Sequence, residues 1–327
     1  MLTEADADLA ILLIAYGGPA SLDEVEAFVL DIRGGRPTPP ELIEEIRRRY
    51  AAIGGRSPLP DITRQQAAAL ETYLRERHSC AARVYVGMRH SAPRLTDVVA
   101  HIAADNIRRL IALPMSPYYS SLGTGRSLAQ LQEAIKECAW RPAVTPIASW
   151  HDHPGLITAL AETAQAGLRH FAAHECPKVI FSAHSVPARL LEQGDPYDRQ
   201  VRQTAALVAQ RMGLAEGEWV FAYQSAGRSP EAWLGPDIQQ VVSEQAQAGE
   251  RQLLVVPIGF TCDQVEILYD IDITCRRLAE RLGVHLERSP ALNALPSFIA
   301  ALADLVMAAV RQGSQQEEAS PRPRGEA

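Results

Sequence analysis

Short apolar runs alternate along this chain with longer stretches in which apolar residues recur every three or four positions. The short runs, rich in Val, Ile and Leu, predict buried strands, and the longer stretches predict amphipathic helices that cover them. Strands are predicted at 10–15, 83–87, 110–113, 178–182, 219–223 and 253–256. Helices are predicted at 21–30, 41–50, 63–76, 125–137 and 196–212, with Ser21 and Glu24 spaced as a capping box for the first. This alternation indicates an α/β protein with parallel sheets flanked by helices.

The apolar runs are also repeated. "ILLIAYGGP" (11–19) aligns with "VIFSAHSVP" (179–187), which places Tyr16 opposite His184. "RRLIALPMS" (108–116) aligns with "RQLLVVPIG" (251–259), and "VYVGMRHSA" (84–92) resembles "WVFAYQSAG" (219–227) more loosely. The three pairs occur in the same order, which predicts two similar α/β halves.

The repeat predicts how the chain is divided. We expect one half at 1–150 and a second at 151–311, while the polar segment 312–327, rich in Glu, Pro and Gly, is expected to be a disordered tail. Ligands of open parallel sheets bind beyond the carboxyl ends of the strands. Four residues just past predicted strand ends are therefore expected to face a cleft between the halves: Tyr16, Tyr118, His184 and Asp263.

The stretch "PIGFTCDQVEILYDIDIT" (257–274) follows the last of these strands. It predicts a helix that begins near Asp263, which can cap it. Glu266 and Asp270 are four residues apart and share one helix face, which Thr274 continues. An imidazole and a carboxylate that meet across a cleft can bind a divalent ion such as Fe²⁺ or transfer protons near neutral pH. His184 and Glu266 are the candidates for this chemistry.

Basic residues are concentrated near glycines in the first half of the chain. Such loops suit a ligand with carboxylates, which forked guanidinium groups bind well. The cluster consists of Arg33, Arg36, Arg47, Arg48, Arg49, Tyr50 and Arg56, with glycines at 34, 35, 54 and 55.

Composition and missing motifs narrow the function. A net charge of −7 argues against a general binder of nucleic acids or anionic membranes. Five cysteines without a C-x-x-C pair indicate free thiols in a reducing compartment, and the first apolar stretch is too short to span a bilayer, so we expect the cytoplasm. The sequence contains no P-loop, no G-x-S-x-G elbow and no H-E-x-x-H pattern.

Several motifs together resemble the ferrochelatase family. They are "AYGGP", "IGGRSPL" (53–59), "SAHSVP", "GDPY" (194–197), "WLGPD" (233–237) and "PIGFTCDQVEILYDID", and they run in the family's order from about residue 9 to 310. The resemblance implies an enzyme that inserts Fe²⁺ into a porphyrin in the last steps of haem synthesis. It also implies two Rossmann-like halves, related by a pseudo-twofold repeat, around a porphyrin cleft.

The resemblance assigns roles by position. His184 and Glu266 match the family's iron-binding and proton-handling pair, and Tyr16 matches a residue that faces the metal from the other side of the macrocycle. Four further residues match porphyrin-contacting positions: Arg33, Arg49, Tyr50 and Ser57. Iron is then a substrate. Because no cysteine follows Cys275, we expect no iron–sulfur cluster and no permanently bound cofactor.

The segment at 32–59 resembles the shorter branch of the family, which uses coproporphyrin III. Coproporphyrin has four propionates and protoporphyrin two, so a polar, arginine-lined mouth fits coproporphyrin better. The chain departs from many relatives at Gln264, where they carry His, and at Thr274, where they carry Glu. Its "GTGRSL" segment around Ser127 also lacks the tyrosine of the coproporphyrin branch.

Three alternatives remain open at this point. The enzyme could use protoporphyrin IX, or it could insert Co²⁺ or Ni²⁺ into a related tetrapyrrole, because imidazole and carboxylate do not select among these metals. A non-catalytic carrier of haem or porphyrin is the third, although a carrier needs no acidic helix face. No nucleic-acid partner is expected, and transient contact with other enzymes of the haem pathway is left open.

Overall fold

A computed structural model describes residues 8–227 and 230–319, where the strands form two parallel sheets of four strands each. The first contains β1 (Leu9–Ala15), β2 (Arg83–Met88), β3 (Arg109–Pro114) and β4 (Ala143–Pro146). The second contains β5 (Lys178–His184), β6 (Trp219–Gln224), β7 (Gln252–Val256) and β8 (His285–Arg288). The strand orders, β2-β1-β3-β4 and β6-β5-β7-β8, are the same in both sheets.

The predicted repeat is confirmed at the level of strand register. Ile11 on β1 pairs with Val84 and Ile111, and the aligned Val179 on β5 pairs with Trp219 and Leu254. The α/β prediction and all six predicted strands are therefore correct. β4 and β8 were missed because these edge strands are four residues long and mostly half-buried or exposed, so they lack an apolar run.

Helices cover both sheets. In chain order they are α1 (Val25–Ile32), α2 (Pro40–Ala52), α3 (Leu59–His78), α4 (Leu95–Ala104), α5 (Thr124–Glu137), α6 (Pro154–Leu168), α7 (Arg189–Glu192), α8 (Tyr197–Met212), α9 (Ile238–Gln247), α10 (Val265–Leu268), α11 (Arg276–Arg281) and α12 (Pro296–Ala319). A 3₁₀ turn at Leu22–Glu24 precedes α1, and a π-helical segment at Asp270–Cys275 joins α10 to α11. None of the helices in the described ranges is both long and apolar enough to cross a lipid bilayer.

One apolar core runs through both halves. Every residue of β1 is buried, and β5 is buried from Val179 to Ala183. The last helix, α12, packs against α3 of the first half and α6 of the second, and its Phe298 stacks on Trp150 with 6.1 Å between ring centroids. Packing is thus continuous across residue 150, and the predicted division into 1–150 and 151–311 stays a prediction.

Two local predictions are corrected. Ser21 makes no side-chain cap bond; instead the Glu24 carboxylate accepts a hydrogen bond from the Ala20 amide at 2.9 Å, so the spacing does not form a capping box. The tail was predicted from residue 312, but α12 continues to Ala319, where Gln and Glu favour helix. The remainder of that tail, 320–327, lies outside the described residues.

Candidate functional site

Two adjoining cavities lie where the strands of both sheets end. The larger, here called the cleft, has a volume of about 1620 Å³. The smaller, here called the inner chamber, has a volume of about 200 Å³. They share wall residues that include Tyr16 and Arg49. Of the seven predicted site residues, Arg33 lines the cleft. The other six line the inner chamber: Tyr16, Arg49, Tyr50, Ser57, His184 and Glu266.

His184 is the final residue of β5 and is held tightly. Its Nδ1 contacts the carbonyl oxygen of Ser185, and its own carbonyl accepts a hydrogen bond from the Tyr197 hydroxyl at 2.8 Å. A carbonyl oxygen can only accept, so Nδ1 carries the proton in the neutral ring. Nε2 then has the free lone pair, which can take a proton or bind a metal ion.

Glu266 lies on α10, which starts later than the sequence predicts. The helix begins at Val265 with Gln264 at the N-cap position, so the prediction that Asp263 caps it is wrong. Asp263 instead accepts a hydrogen bond from the Asn293 amide at 2.8 Å and lies 3.3 Å from the Arg288 guanidinium. These partners hold its carboxylate away from the helix terminus.

The inner chamber has an acidic wall formed by Glu266 and Asp270, and the pKa values of both carboxyl groups are raised. Burial raises the pKa of Glu266, and the nearby His184 partly offsets that rise. Burial also raises the pKa of Asp270, although Ser225 donates a hydrogen bond to its carboxylate and Arg49 lies 3.5 Å away. A carboxyl group with a raised pKa can exchange protons closer to neutral pH, and its ionised form is stabilised by a cation.

The first half contributes a wall around Tyr16 that sequence analysis did not identify. The Arg89 guanidinium lies 5.5 Å from the centroid of the Tyr16 ring. The centroids of the Tyr16 and His90 rings are 4.6 Å apart. Asp31 accepts hydrogen bonds from both His90 Nδ1 at 2.7 Å and Arg94 at 2.8 Å. Tyr16 is 42% exposed, yet neighbouring protein atoms partly desolvate its hydroxyl; this desolvation and the charge of Glu266 raise its pKa to about 12, so the hydroxyl stays protonated at neutral pH. The repeat is the sequence signal that could have identified His90. His90 aligns with Ser225 of the second half, and Ser225 donates a hydrogen bond to Asp270 on the chamber wall.

The remaining predicted residues differ in their surroundings. Tyr50 is buried, with its ring 6.3 Å from that of Phe28 in an edge-to-face contact. Ser57 is fixed by a hydrogen bond from its amide to the Pro19 carbonyl at 2.8 Å. Tyr118 was predicted to face the cleft, and this is wrong: it is buried, and its hydroxyl donates to the Ile258 carbonyl at 2.9 Å. Asp263 likewise serves structure, through Asn293.

Within 8–227 and 230–319, no group of three or more His, Cys, Asp and Glu side chains is arranged to hold a metal ion. The inner chamber therefore offers the two-residue pair His184 and Glu266 as its metal-binding candidate. The absence of an iron–sulfur cluster, the lack of a resident cofactor and the cytoplasmic location stay predictions.

Comparison with known proteins decides the family. The sequence profile described as Ferrochelatase matches residues 8–310.

The chain belongs to the ferrochelatase family. A protein of Deinococcus radiodurans named ferrochelatase is 40% identical over 300 residues, which cover 91% of this chain and 95% of the relative. A Geobacillus protein named coproporphyrin III ferrochelatase is 34% identical over 307 residues, with 93% and 98% covered.

Solved structures agree on the fold. The sirohydrochlorin chelatase SirB from Bacillus subtilis subspecies spizizenii, in complex with cobalt, matches with a TM-score of 0.55 at 14% identity, over 96% of this chain and 98% of SirB. CbiX, the terminal enzyme of siroheme biosynthesis in denitrifying bacteria, matches with a TM-score of 0.54 at 14% identity, over 91% and 98%. The two α/β halves predicted from the repeat, and the chelatase-like fold implied by the family resemblance, are thereby confirmed.

Membership confirms the predicted family and enzyme class: a ferrochelatase-family enzyme of haem biosynthesis, whose chemistry is metal insertion into a porphyrin. The roles of the individual residues stay predictions. The structure brings six of the seven together in one chamber, which is the placement that those roles require.

Gly259 gives a first test of how the ferrochelatase site is held. Its amide donates to the Ser182 carbonyl at 3.0 Å, and a Cβ added here would lie 2.6 Å from Ala183 Cα, directly before His184. We expect Gly259→Ala to push the end of β5 away, destabilising the protein by about 1–3 kcal/mol and lowering kcat by at least about tenfold. Thermal unfolding and steady-state metal insertion measure both effects.

Gly313→Ala is the matched control, because its added Cβ would make only ordinary contact, 3.8 Å from Thr145. It should leave kcat unchanged and, being inside a helix, raise stability slightly. Equal kcat values for Gly259→Ala and the wild type would show that this close approach does not position His184.

Proposed function

We propose that this enzyme inserts Fe²⁺ into coproporphyrin III to give Fe-coproporphyrin. The observation that carries the proposal is a set of cleft arginines whose charge is not neutralised. In the described part of the chain, four cleft-lining arginines form no ion pair with any carboxylate: Arg33, Arg36, Arg89 and Arg126. Coproporphyrin III carries four propionates, whereas protoporphyrin IX carries two.

Arg33 is the clearest of these donors. Its Nε is buried and finds no hydrogen-bond partner among the described residues, while one terminal nitrogen lies 3.5 Å from the Pro37 carbonyl. A buried donor without a partner costs free energy, which a ligand carboxylate would recover. Arg49, predicted alongside it, is already paired with Glu45 at 2.9 Å and with Asp270 at 3.5 Å. Arg49 is therefore the weaker candidate for a propionate contact.

The inner chamber supplies the chemistry in this proposal. Metal insertion requires that two pyrrole N–H protons leave while Fe²⁺ exchanges its water ligands for ring nitrogens. His184 accepts the two pyrrole protons in turn at Nε2 and passes each to water, and the Glu266 carboxylate neutralises the entering cation. Tyr16 lies on the chamber wall contributed by the first half, and His184 lies on the wall contributed by the second half. A flat macrocycle bound between these walls would have the Tyr16 ring on one face and the His184 imidazole on the other.

The relatives support the substrate only in part. The Geobacillus relative carries coproporphyrin III in its name, while the more similar Deinococcus relative is named ferrochelatase without a porphyrin. The substrate proposal therefore depends mainly on the cleft arginines.

The test is anaerobic incubation with Fe²⁺ and each porphyrin, followed by absorbance. Each guanidinium–carboxylate contact contributes about 1.5–3 kcal/mol where water is partly excluded, and less at an open rim. Two extra contacts should favour coproporphyrin III in kcat/KM by about tenfold or more, since ~1.4 kcal/mol gives that factor. Equal or better use of protoporphyrin IX would defeat the substrate proposal. Product beyond one equivalent per protein would exclude a carrier, and parallel assays with Co²⁺ and Ni²⁺ would test the metal.

Arg33→Ala should reduce the preference for coproporphyrin III mainly by raising its KM, because only the larger set of propionates uses all the cleft arginines. We expect kcat/KM for coproporphyrin III to fall by about tenfold and that for protoporphyrin IX by less. Arg77→Ala, on the exposed end of α3, is the control and should change neither value. Parallel losses for both porphyrins would mean that Arg33 does not discriminate between them.

A further inference from the structure

Gln224 is the last residue of β6 and is fully buried, although its side chain ends in a polar amide. A buried amide is tolerated when its oxygen and nitrogen both find hydrogen-bond partners. Its Oε1 accepts a hydrogen bond from Ser182 Oγ at 2.7 Å, and its Nε2 donates to the carbonyl oxygen of Glu266, also at 2.7 Å. The side chain therefore ties β5 to the short helix α10.

The main chain of Gln224 makes a further bond beside His184. Its carbonyl accepts a hydrogen bond from the Ser185 amide at 2.7 Å, and the strand register places Gln224 directly opposite His184. Ser182 and Ser185 lie on either side of His184 in the chain. One residue thus holds the strand end before and after His184 and, through its amide, the backbone of Glu266.

The repeat shows that this arrangement is specific to the second half. The residue aligned with Gln224 in the first half is Arg89, one position past β2. The Arg89 guanidinium lines the cleft and lies over Tyr16. At the equivalent strand end, the Gln224 amide instead turns into the protein and joins the elements that carry His184 and Glu266.

We propose that Gln224 is a positioning residue that sets the separation between His184 Nε2 and the Glu266 carboxylate. The proposal rests on the roles proposed above for those two side chains. A metal ion or a proton shared by two groups demands accurate placement, and small displacements cost large factors in rate. α10 contains only four residues, and the hydrogen bond from Gln224 to the Glu266 carbonyl ties it to the end of β6.

Two variants at this position separate the contributions. Gln224→Leu removes both side-chain hydrogen bonds, and Gln224→Glu keeps the shape and the acceptor for Ser182 but, in its ionised form, loses the donor to Glu266. We expect each to lower kcat by at least about tenfold, with the Kd for porphyrin within about twofold of the wild type. In a His184→Ala background, Gln224→Leu should cause little further loss, because coupled residues are not additive.

Gln66→Leu is the matched control. Gln66 is equally buried and also bridges separate elements, since its Nε2 donates to the carbonyls of Thr261 at 3.0 Å and Asn293 at 2.9 Å. Its loss should lower the melting temperature about as much as Gln224→Leu, while kcat stays within about threefold of the wild type. A parallel fall in stability, porphyrin affinity and kcat in both leucine variants would overturn the proposal and leave Gln224 a structural amide.

Titration with Co²⁺ in the absence of porphyrin gives a readout independent of turnover. We expect the visible absorbance of bound Co²⁺ to report weaker binding in both Gln224 variants and unchanged binding in Gln66→Leu. Unchanged Co²⁺ affinity together with unchanged kcat in the Gln224 variants would also overturn the proposal. If the wild type metallates no porphyrin, the proposed function fails, and the Co²⁺ comparison alone still decides whether Gln224 positions the pair.

Discussion

His184→Ala should abolish most iron insertion, with kcat reduced by about 10²–10⁴-fold, the usual contribution of a general base. The side chain ends β5 inside the inner chamber, and its Nδ1 is engaged by the Ser185 carbonyl, which leaves Nε2 to accept a pyrrole proton. Because the cleft arginines are untouched, porphyrin affinity should remain close to that of the wild type. Stopped-time assays of metalloporphyrin formation and fluorescence titration with porphyrin measure the two quantities.

His170→Ala provides the comparison for this variant, because His170 is exposed after α6 and lines neither the cleft nor the inner chamber. It should behave as the wild type in both assays. If His184→Ala loses porphyrin affinity and turnover by the same factor, the histidine shapes the chamber and does not take part in the proton transfer.

The repeat explains why so much of this fold could be predicted from sequence. The alignment of Tyr16 with His184 made β1 and β5 equivalent strands of the two halves. The structure shows equivalent strand registers in both halves, with Ile11 paired with Val84 and Val179 paired with Trp219. Fully buried parallel strands are nearly continuous apolar runs, which makes them visible without tertiary information.

Position relative to a strand end was a weaker guide to the site. Tyr118 and Asp263 follow strands as His184 does, yet their side chains turn to the Ile258 carbonyl and to Asn293. Partners more than 20 residues away in sequence decided these orientations. The same holds for Gln224, whose partner Glu266 is 42 residues away. The spacing of apolar residues and the preference of each residue for helix or strand carry no information about such long-range contacts. The hydrogen bonds that hold the site residues in place are therefore visible only in the structure.

Glu266→Gln should lower turnover by about 10²-fold or more and should at the same time make the protein more stable at neutral pH. The substitution keeps the size of the side chain but removes the charge that neutralises the entering cation. Porphyrin affinity should be nearly unchanged, because the amide still fits the chamber wall. A rate near that of the wild type would remove Glu266 from the mechanism.

The stability effect follows from the direction of the pKa shift. Burial raises the pKa of Glu266 above its ordinary value of 4.5, so the folded protein binds this proton more tightly than the unfolded chain does. Its favourable contribution is therefore fully present below pH 4.5 and is lost as the pH rises through the higher folded pKa. Above that pH the wild type carries a half-buried, partly desolvated carboxylate that is also repelled by the charge of Asp270.

Gln cannot ionise, so the variant avoids this cost. We expect the melting temperature of Glu266→Gln to exceed that of the wild type by a few degrees at pH 7–8, and the difference to shrink toward zero as the pH falls to about 4.5. Calorimetry across this range measures it, with Glu216→Gln, at an exposed position before β6, as a control that should show no such trend. If the two melting temperatures are equal at pH 8, or if their difference grows as the pH falls, the ionised Glu266 carboxylate does not destabilise the folded protein and its pKa is not raised.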